Sequence, residues 1–254
     1  MLPALPVHYN SANSHDRHHR MPIVDQPATA NTSHITLPDV PGGWTTREIV
    51  LAGRTFKLDL PASPDAFLDD PDVLAAHERD GYMPYWGYLW PTSLDLARHV
   101  LEQCWPSGLE CLELGAGIGL SGLAGLAAGL RVTFSDYEPQ AVDLALHNAR
   151  LNGFSEATGC VLDWRQPTNR TYPLILGCDL IYEQPNHAPI LDLLEKMLAK
   201  DGACWLADPG RHQADAFVAE LRRRPFRFEC RPIPREPFPT RPDGVTNIWV
   251  IEWR

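Results

Sequence analysis

Five acidic residues stand out by where they fall in the chain. Glu113 opens the run Glu113-Leu-Gly-Ala-Gly-Ile-Gly119, and Asp136, Asp163, Asp179 and Asp208 each close a short apolar run farther on. The Glu113 run ends a β-like segment and opens a small-residue helical one. Gly115, Gly117 and Gly119 let the backbone turn tightly and let a ligand reach the main chain. The helix start beyond them offers unpaired N–H groups. A dinucleotide is one candidate ligand: Gly117, Gly119 and Gly122 spell G-x-G-x-x-G, and Asp136 lies about twenty residues past the loop, where a ribose-binding acid is expected. Three features oppose it. Glu113 would set an anion beside a pyrophosphate, the glycines reach back to Gly115, and a further acid-aromatic pair, Asp163-Trp164, ends the third strand. Adenosine with an amino-acid end and no phosphates fits better. Asp136 would take the ribose hydroxyls and Glu113 would stand near the cationic amino-acid end, partly through water. Asp163 would accept from the adenine amino group, and Trp164 or Tyr137 would pack on the ring.

That ligand is S-adenosylmethionine, and the residues that select it resemble a known family. From about Tyr85 to the C-terminus the chain is similar to the seven-β-strand methyltransferases: Glu113-Leu-Gly-Ala-Gly-Ile-Gly119 matches their first motif, and Asp136 stands where their second-strand acid stands. Trp86-Gly-Tyr-Leu-Trp-Pro91, Asp163-Trp164 and Cys178-Asp-Leu-Ile-Tyr-Glu183 resemble the protein-lysine branch, marked by Asp-x-x-Tyr after the fourth strand. Pro84-Tyr-Trp86 and Ala207-Asp-Pro-Gly-Arg211 look most like the enzymes that methylate the β-subunit of electron-transfer flavoprotein. The resemblance implies a protein-lysine N-methyltransferase, with Trp86 and Cys178 joining Glu113, the three glycines, Asp136, Tyr137, Asp163 and Trp164 around the cofactor. It puts Asp179 and Tyr182 at the acceptor. The histidine-rich head and the 232–245 loop have no counterpart in the family.

A lysine acceptor sets a chemical problem. Its amine has a pKa of ~10.4, so most of it is ammonium and cannot attack. Asp179 would attract and orient that ammonium but would raise its pKa, so desolvation or a water path must assist deprotonation. Tyr182 would aim the lone pair or line the slot. Each residue also has a plain structural reading. Asp163 and Asp179 could cap turns, Tyr182 could be core, Trp86 and Trp90 could pack a helix start, and Asp208 and Arg211 could flank a β-turn at Pro209-Gly210.

The elements that must position these residues alternate. Strands are expected at 109–114, 131–135, 158–162, 174–178, 203–207, 226–231 and 247–253. Helices are expected at 92–105, 119–128, 139–151, 189–199 and 213–223, with Leu94, Ala97, Leu101 and Cys104 inward on the first and Asp201-Gly202 closing the fourth. The fold class is therefore α/β: a Rossmann-like, seven-stranded, mostly parallel sheet with helices on both faces and an antiparallel edge strand. Ahead of it, 46–51 and 55–60 form a hairpin about Ala52-Gly53-Arg54, and 64–80 reads as a short acidic helix. Three regions follow: a disordered head at 1–42, an N-terminal extension at 43–91 and the methyltransferase domain at 92–254.

The 254 residues carry a net charge of −10 with 44% hydrophobic residues, ordinary for a soluble globular protein. A nucleic-acid partner is not expected of so acidic a chain. No apolar run reaches the ~18 residues of a membrane span. The six cysteines are scattered, several in apolar runs, and read as buried reduced thiols of a cytoplasmic protein rather than as disulfides or a metal site. The head holds five of the ten histidines, a solvated tail rather than a metal site, and Met21 is a possible natural start. Competing readings are a small-molecule N- or O-methyltransferase, an NAD(P)-dependent oxidoreductase, for which the Tyr-x-x-x-Lys signature is missing because Asn186 follows Tyr182, and a non-catalytic binding module. The methyl acceptor, the degree of methylation and the oligomeric state are not set by the sequence.

Overall fold

The computed structural model describes residues 37–235 and 244–254. The expected head and the tip of the 232–245 loop therefore lie largely outside the described residues. The chain opens with an antiparallel hairpin, β1 (Trp44–Leu51) and β2 (Arg54–Pro61), in which Leu51 pairs with Arg54. The two-residue loop places Ala52 and Gly53 at φ +47° and +76°, the geometry of a type I′ turn. The expected helix at 64–80 is two pieces, a 3₁₀ turn at Pro64–Asp69 and α1 (Pro71–Asp80). Pro71 keeps Asp70 extended, and the Asp70 carboxylate accepts from the Asp72 and Val73 N–H groups as the cap of the second piece.

The rest is one seven-stranded sheet. Its strands are β3 (Glu110–Leu114), β4 (Arg131–Asp136), β5 (Thr158–Val161), β6 (Tyr172–Cys178), β7 (Leu198–Asp208), β8 (Phe226–Pro234) and β9 (Val245–Trp253). The order is β5-β4-β3-β6-β7-β9-β8; the first five strands in that order are parallel, and β9 runs antiparallel between β7 and β8. Alternate residues face opposite sides, as the pleat requires. Cys111, Phe134, Leu176, Trp205 and Val250 face α2 (Pro91–Leu101), α3 (Leu120–Ala127) and α4 (Pro139–Leu151). Leu112, Ile175, Leu206 and Ile251 face α5 (His187–Met197) and α6 (Gln213–Leu221).

Three expectations are corrected. The helix at 92–105 stops at Leu101, because the Trp105 indole folds back and donates to the Val100 carbonyl; Cys104 is left exposed. Cys230 is exposed as well, and Cys160 and Cys178 are half-buried, so only Cys111 and Cys204 are the buried thiols expected of all six. Asp201-Gly202 does not close a helix. The helix ends at Met197, and this pair lies within β7, where the register with β6 shifts between Tyr172 and Leu174. A Cβ at Gly202 would stand 2.7 Å from the Pro173 carbonyl oxygen, which fixes glycine there.

Candidate functional site

The strand order reverses between β3 and β6, and ligands in such sheets sit beyond the carboxyl ends at that point. A cavity of about 450 Å³ opens there. All twelve of the residues assigned to cofactor and acceptor line it: Trp86, Glu113, Gly115, Gly117, Gly119, Asp136, Tyr137, Asp163, Trp164, Cys178, Asp179 and Tyr182. Trp90 and Arg211 line it too, while Asp208 does not.

β3 delivers Glu113 to the cavity floor. Its side chain is buried, Oε2 has no hydrogen-bond partner, and burial pushes its carboxyl up to about 8, with the amides at the start of α3 pulling the other way. A buried carboxyl oxygen without a partner, facing a cavity, suits the positive end of a ligand, whose charge would favour the ionised form. The loop above it holds Gly115, Gly117 and Gly119 at φ +64°, +51° and +86°. At Gly119 a Cβ would also lie 2.8 Å from Ala145 of α4, so the loop can enter its helix only as glycine.

Asp136, at the end of β4, organises that loop. Its Oδ2 accepts from the Gly117 N–H at 3.0 Å and its Oδ1 from the Glu138 N–H at 3.0 Å; burial raises its pKa against the pull of these amides. Each oxygen keeps a further lone pair for a ligand hydroxyl. Asp163, beyond β5, is also engaged: its Oδ1 accepts from the Arg165 amide at 2.9 Å and the Arg165 Nε at 2.8 Å, and the guanidinium lies 5.3 Å from the centre of the Tyr137 ring. The turn-cap reading of Asp163 is thus realised while its side chain still lines the cavity.

At the other end lie the groups carried by β6, β7 and the aromatic segment. Asp179 sits at φ +57°, a rare conformation outside glycine, and its N–H donates to the Ala207 carbonyl at 2.9 Å. Its carboxylate is ion-paired to Arg211 Nη1. The carboxylate expected to orient an ammonium thus meets a cation of the chain itself, and both partners line the cavity. Asp208 serves the turn: its Oδ1 accepts from the Gly210 and Arg211 amides at 2.7 and 3.0 Å, which aims Arg211 back across to Asp179. Tyr182 stacks edge-on to Tyr85 with centroids 5.6 Å apart, and Tyr85 meets Trp90 at 6.1 Å. Burial raises the Tyr182 pKa far above neutral, so it acts as a hydroxyl and not as a base. Trp86 is buried edge-on to Phe67 at 5.6 Å, with its backbone against Gly117.

Three residues of consequence escaped the sequence reading. Glu138 lines the cavity, pushed up to about 7 by burial and by Asp136. Arg165 pairs with Asp163. Asn148, buried on α4, donates to the carbonyls of Asp59 and Ile118 and accepts from the Asp59 N–H, tying the hairpin to the glycine loop. An asparagine on the inward face of a helix was the one available signal. Among the described residues no group of three His, Cys, Asp or Glu is placed to hold a metal, and no helix is long and apolar enough to cross a membrane.

A family model described as lysine methyltransferase matches residues 77–224, more than half of the chain. Over 151 residues the chain is 28% identical to the histidine protein methyltransferase 1 homolog of Dictyostelium discoideum, covering 56% of this chain and 47% of that one. Over 134 residues it is 31% identical to the electron transfer flavoprotein beta subunit lysine methyltransferase of Danio rerio, covering 51% and 52%. The chain thus spans about half the length of these relatives. Among solved structures, the ribosomal protein L11 methylase of Lactobacillus delbrueckii superposes with a TM-score of 0.53 at 19% identity, over 66% of this chain and 81% of that one, a likeness of fold.

Proposed function

The chain belongs to the lysine methyltransferase family, and from that premise we propose that it transfers a methyl group from S-adenosylmethionine to a lysine side chain of a protein. The observation that carries the cofactor half is the buried, unpartnered Oε2 of Glu113 beneath three left-handed glycines. This donor set suits a ligand with an ammonium at one end and ribose hydroxyls beyond it, and disfavours a pyrophosphate. The dinucleotide alternative loses its support there. Bound, S-adenosylmethionine supplies a methyl group activated by a sulfonium: the acceptor nitrogen's lone pair forms the new N–C bond, the S–C bond breaks, and sulfur keeps that pair as a neutral thioether.

The chain's residues have the remaining work. Glu113 neutralises the ammonium end. Asp136 holds Gly117 and Glu138 by their amides and offers its remaining lone pairs to the ribose. Asp163, fixed by Arg165, faces the adenine end, with Trp164 and Tyr137 beside it. Asp179 and Tyr182, with Cys178 between the two ends, shape the acceptor slot under the rings of Tyr85 and Trp90. The strand ends divide the labour: acids on β3, β4 and β5 toward the donor, groups on β6 and β7 toward the acceptor. A cytoplasmic location goes with this reading, supported by six free thiols, and no nucleic-acid partner is proposed.

Calorimetric titration with S-adenosylhomocysteine, the reaction's other product, tests the donor site. Micromolar binding by the wild type, at least ~10-fold weaker binding by Asp136→Ala, and no heat with NADH are expected. Binding of NADH in its place would overturn the assignment.

A further inference from the structure

We propose that Arg211 determines which protonation state of the acceptor enters the site: by pairing with Asp179 it leaves no free carboxylate in the slot, so lysine is accepted as the neutral, nucleophilic amine. This rests on the lysine-methyltransferase reading above and names a positioning residue that acts through Asp179.

The fold builds the pair deliberately. β6 and β7 are adjacent and parallel, with Cys178 opposite Ala207, so the residues that follow each strand emerge side by side. On the β6 side, Asp179 is held in a left-handed conformation by its bond to the Ala207 carbonyl. On the β7 side, the Asp208 turn points Arg211 inward. The Asp179 side chain is only 6% exposed, and its partner is 26% exposed at the cavity wall. The guanidinium also lies 5.9 Å from the centre of the Tyr182 ring.

The other groups around the slot do not replace the missing anion. Tyr85 on the aromatic segment, Tyr182 after β6 and Cys178 at its end are all pushed upward by burial and stay neutral. Asp208 spends its Oδ1 on the turn amides; its Oδ2 is buried without a partner but does not line the cavity, and Glu183 is exposed beside Tyr182. Asp95 on α2 is buried and accepts from the Thr246 hydroxyl. Glu113 on β3 belongs to the donor floor.

The electrostatic consequence is direct. A free carboxylate beside the amine would raise its pKa, and each unit of rise would cut the neutral fraction ~10-fold at a given pH. The paired carboxylate exerts little such pull, and the guanidinium pushes the other way. The ammonium therefore yields its proton to water on entering, before the lone pair is needed.

The test is the pH profile of methyl transfer from tritiated S-adenosylmethionine to a heat-treated protein extract, with limiting enzyme, between pH 6 and 10. For Arg211→Gln, which frees Asp179, the rising limb should move up by about one pH unit or more and the rate at pH 7.5 should fall ~10-fold or more. Arg211→Lys, which keeps the charge, should stay close to the wild-type limb. The double variant Asp179→Asn/Arg211→Gln, neutral again, should return toward it and carries the test if the single variant loses S-adenosylhomocysteine binding through misfolding. An Arg211→Gln limb superimposed on the wild type, an Arg211→Lys limb as displaced as that of Arg211→Gln, or a double variant that remains displaced would overturn the proposal. A wild type that transfers no label to any protein would instead sink the underlying reading.

Discussion

Glu113 is a carboxyl buried at the floor of the cavity, and its ionisation makes stability depend on pH. Its folded pKa of about 8 lies above the 4.5 of a free glutamate. The stability tied to its protonated form is fully present below pH ~4.5 and is lost as pH rises through 8. Glu138, at about 7, and Asp136, also raised, act in the same direction. The ligand-free thermal midpoint should therefore fall between pH 5 and 8.5. Glu113→Gln should flatten the fall and raise the midpoint at pH 8 by several degrees, at ~2–4 °C per kcal/mol for a chain of this size. Scanning calorimetry across that range decides it; parallel curves for variant and wild type would refute it. Glu113 was legible in the sequence because a carboxylate at a strand end beside glycines has few structural uses, and Asp136 because it ends the next strand at the spacing of a ribose-binding acid. The Asp179–Arg211 pair was not. Both residues were singled out, but their contact spans 32 positions and follows from β6 lying next to β7, which no local pattern states.

The hairpin docks through two asparagines four residues apart, Asn148 on α4 and Asn152 at its C-terminal cap. Asn148 pairs with the N–H and carbonyl of Asp59, and Asn152 pairs with the N–H and carbonyl of Lys57, so the helix offers the outer edge of β2 the hydrogen bonds a third strand would give. Asn148 also holds the Ile118 carbonyl in the glycine loop. Asn148→Ala would leave buried backbone groups unpaired at ~1–3 kcal/mol each, whereas Asn152→Ala, at a more exposed position, should cost ~1 kcal/mol or less. Urea unfolding of both variants gives the ranking, and S-adenosylhomocysteine affinity should weaken only for Asn148→Ala. Equal costs would contradict the role given to Asn148. Element boundaries were readable where the chain carries its own punctuation: α4 runs from Pro139 to Leu151, ahead of Asn152-Gly153, as expected. They were misread where a distant contact decides. The Trp105 indole ends α2, Pro71 divides the acidic segment, and the Pro173 backbone rather than a helix cap explains Gly202.

The extension contributes to the same site as the sheet. Tyr82, Tyr85, Trp86 and Trp90 form one wall of the cavity, the hairpin covers α4, and the family match begins at residue 77, inside the extension. We therefore propose that 43–91 folds with the methyltransferase unit. A shortened chain beginning at Thr92 should lose S-adenosylhomocysteine binding in calorimetry, and retained micromolar binding would show the extension to be dispensable. From β3 onward the alternation of strand and helix was legible in the sequence, with glycine and proline marking many of the turns. That the last two strands pair as a hairpin was legible too; that β9 rather than β8 meets β7 was not, since that pairing is a long-range choice. The similarity to enzymes named for lysine and for histidine methylation leaves one decisive experiment. The full chain is incubated with tritiated S-adenosylmethionine and a protein extract, the labelled protein is hydrolysed in acid, and the amino acids are separated. Label in methylated lysine, lost in Asp136→Ala, is the expected result; label in methylated histidine or arginine, or none in protein at all, would contradict it.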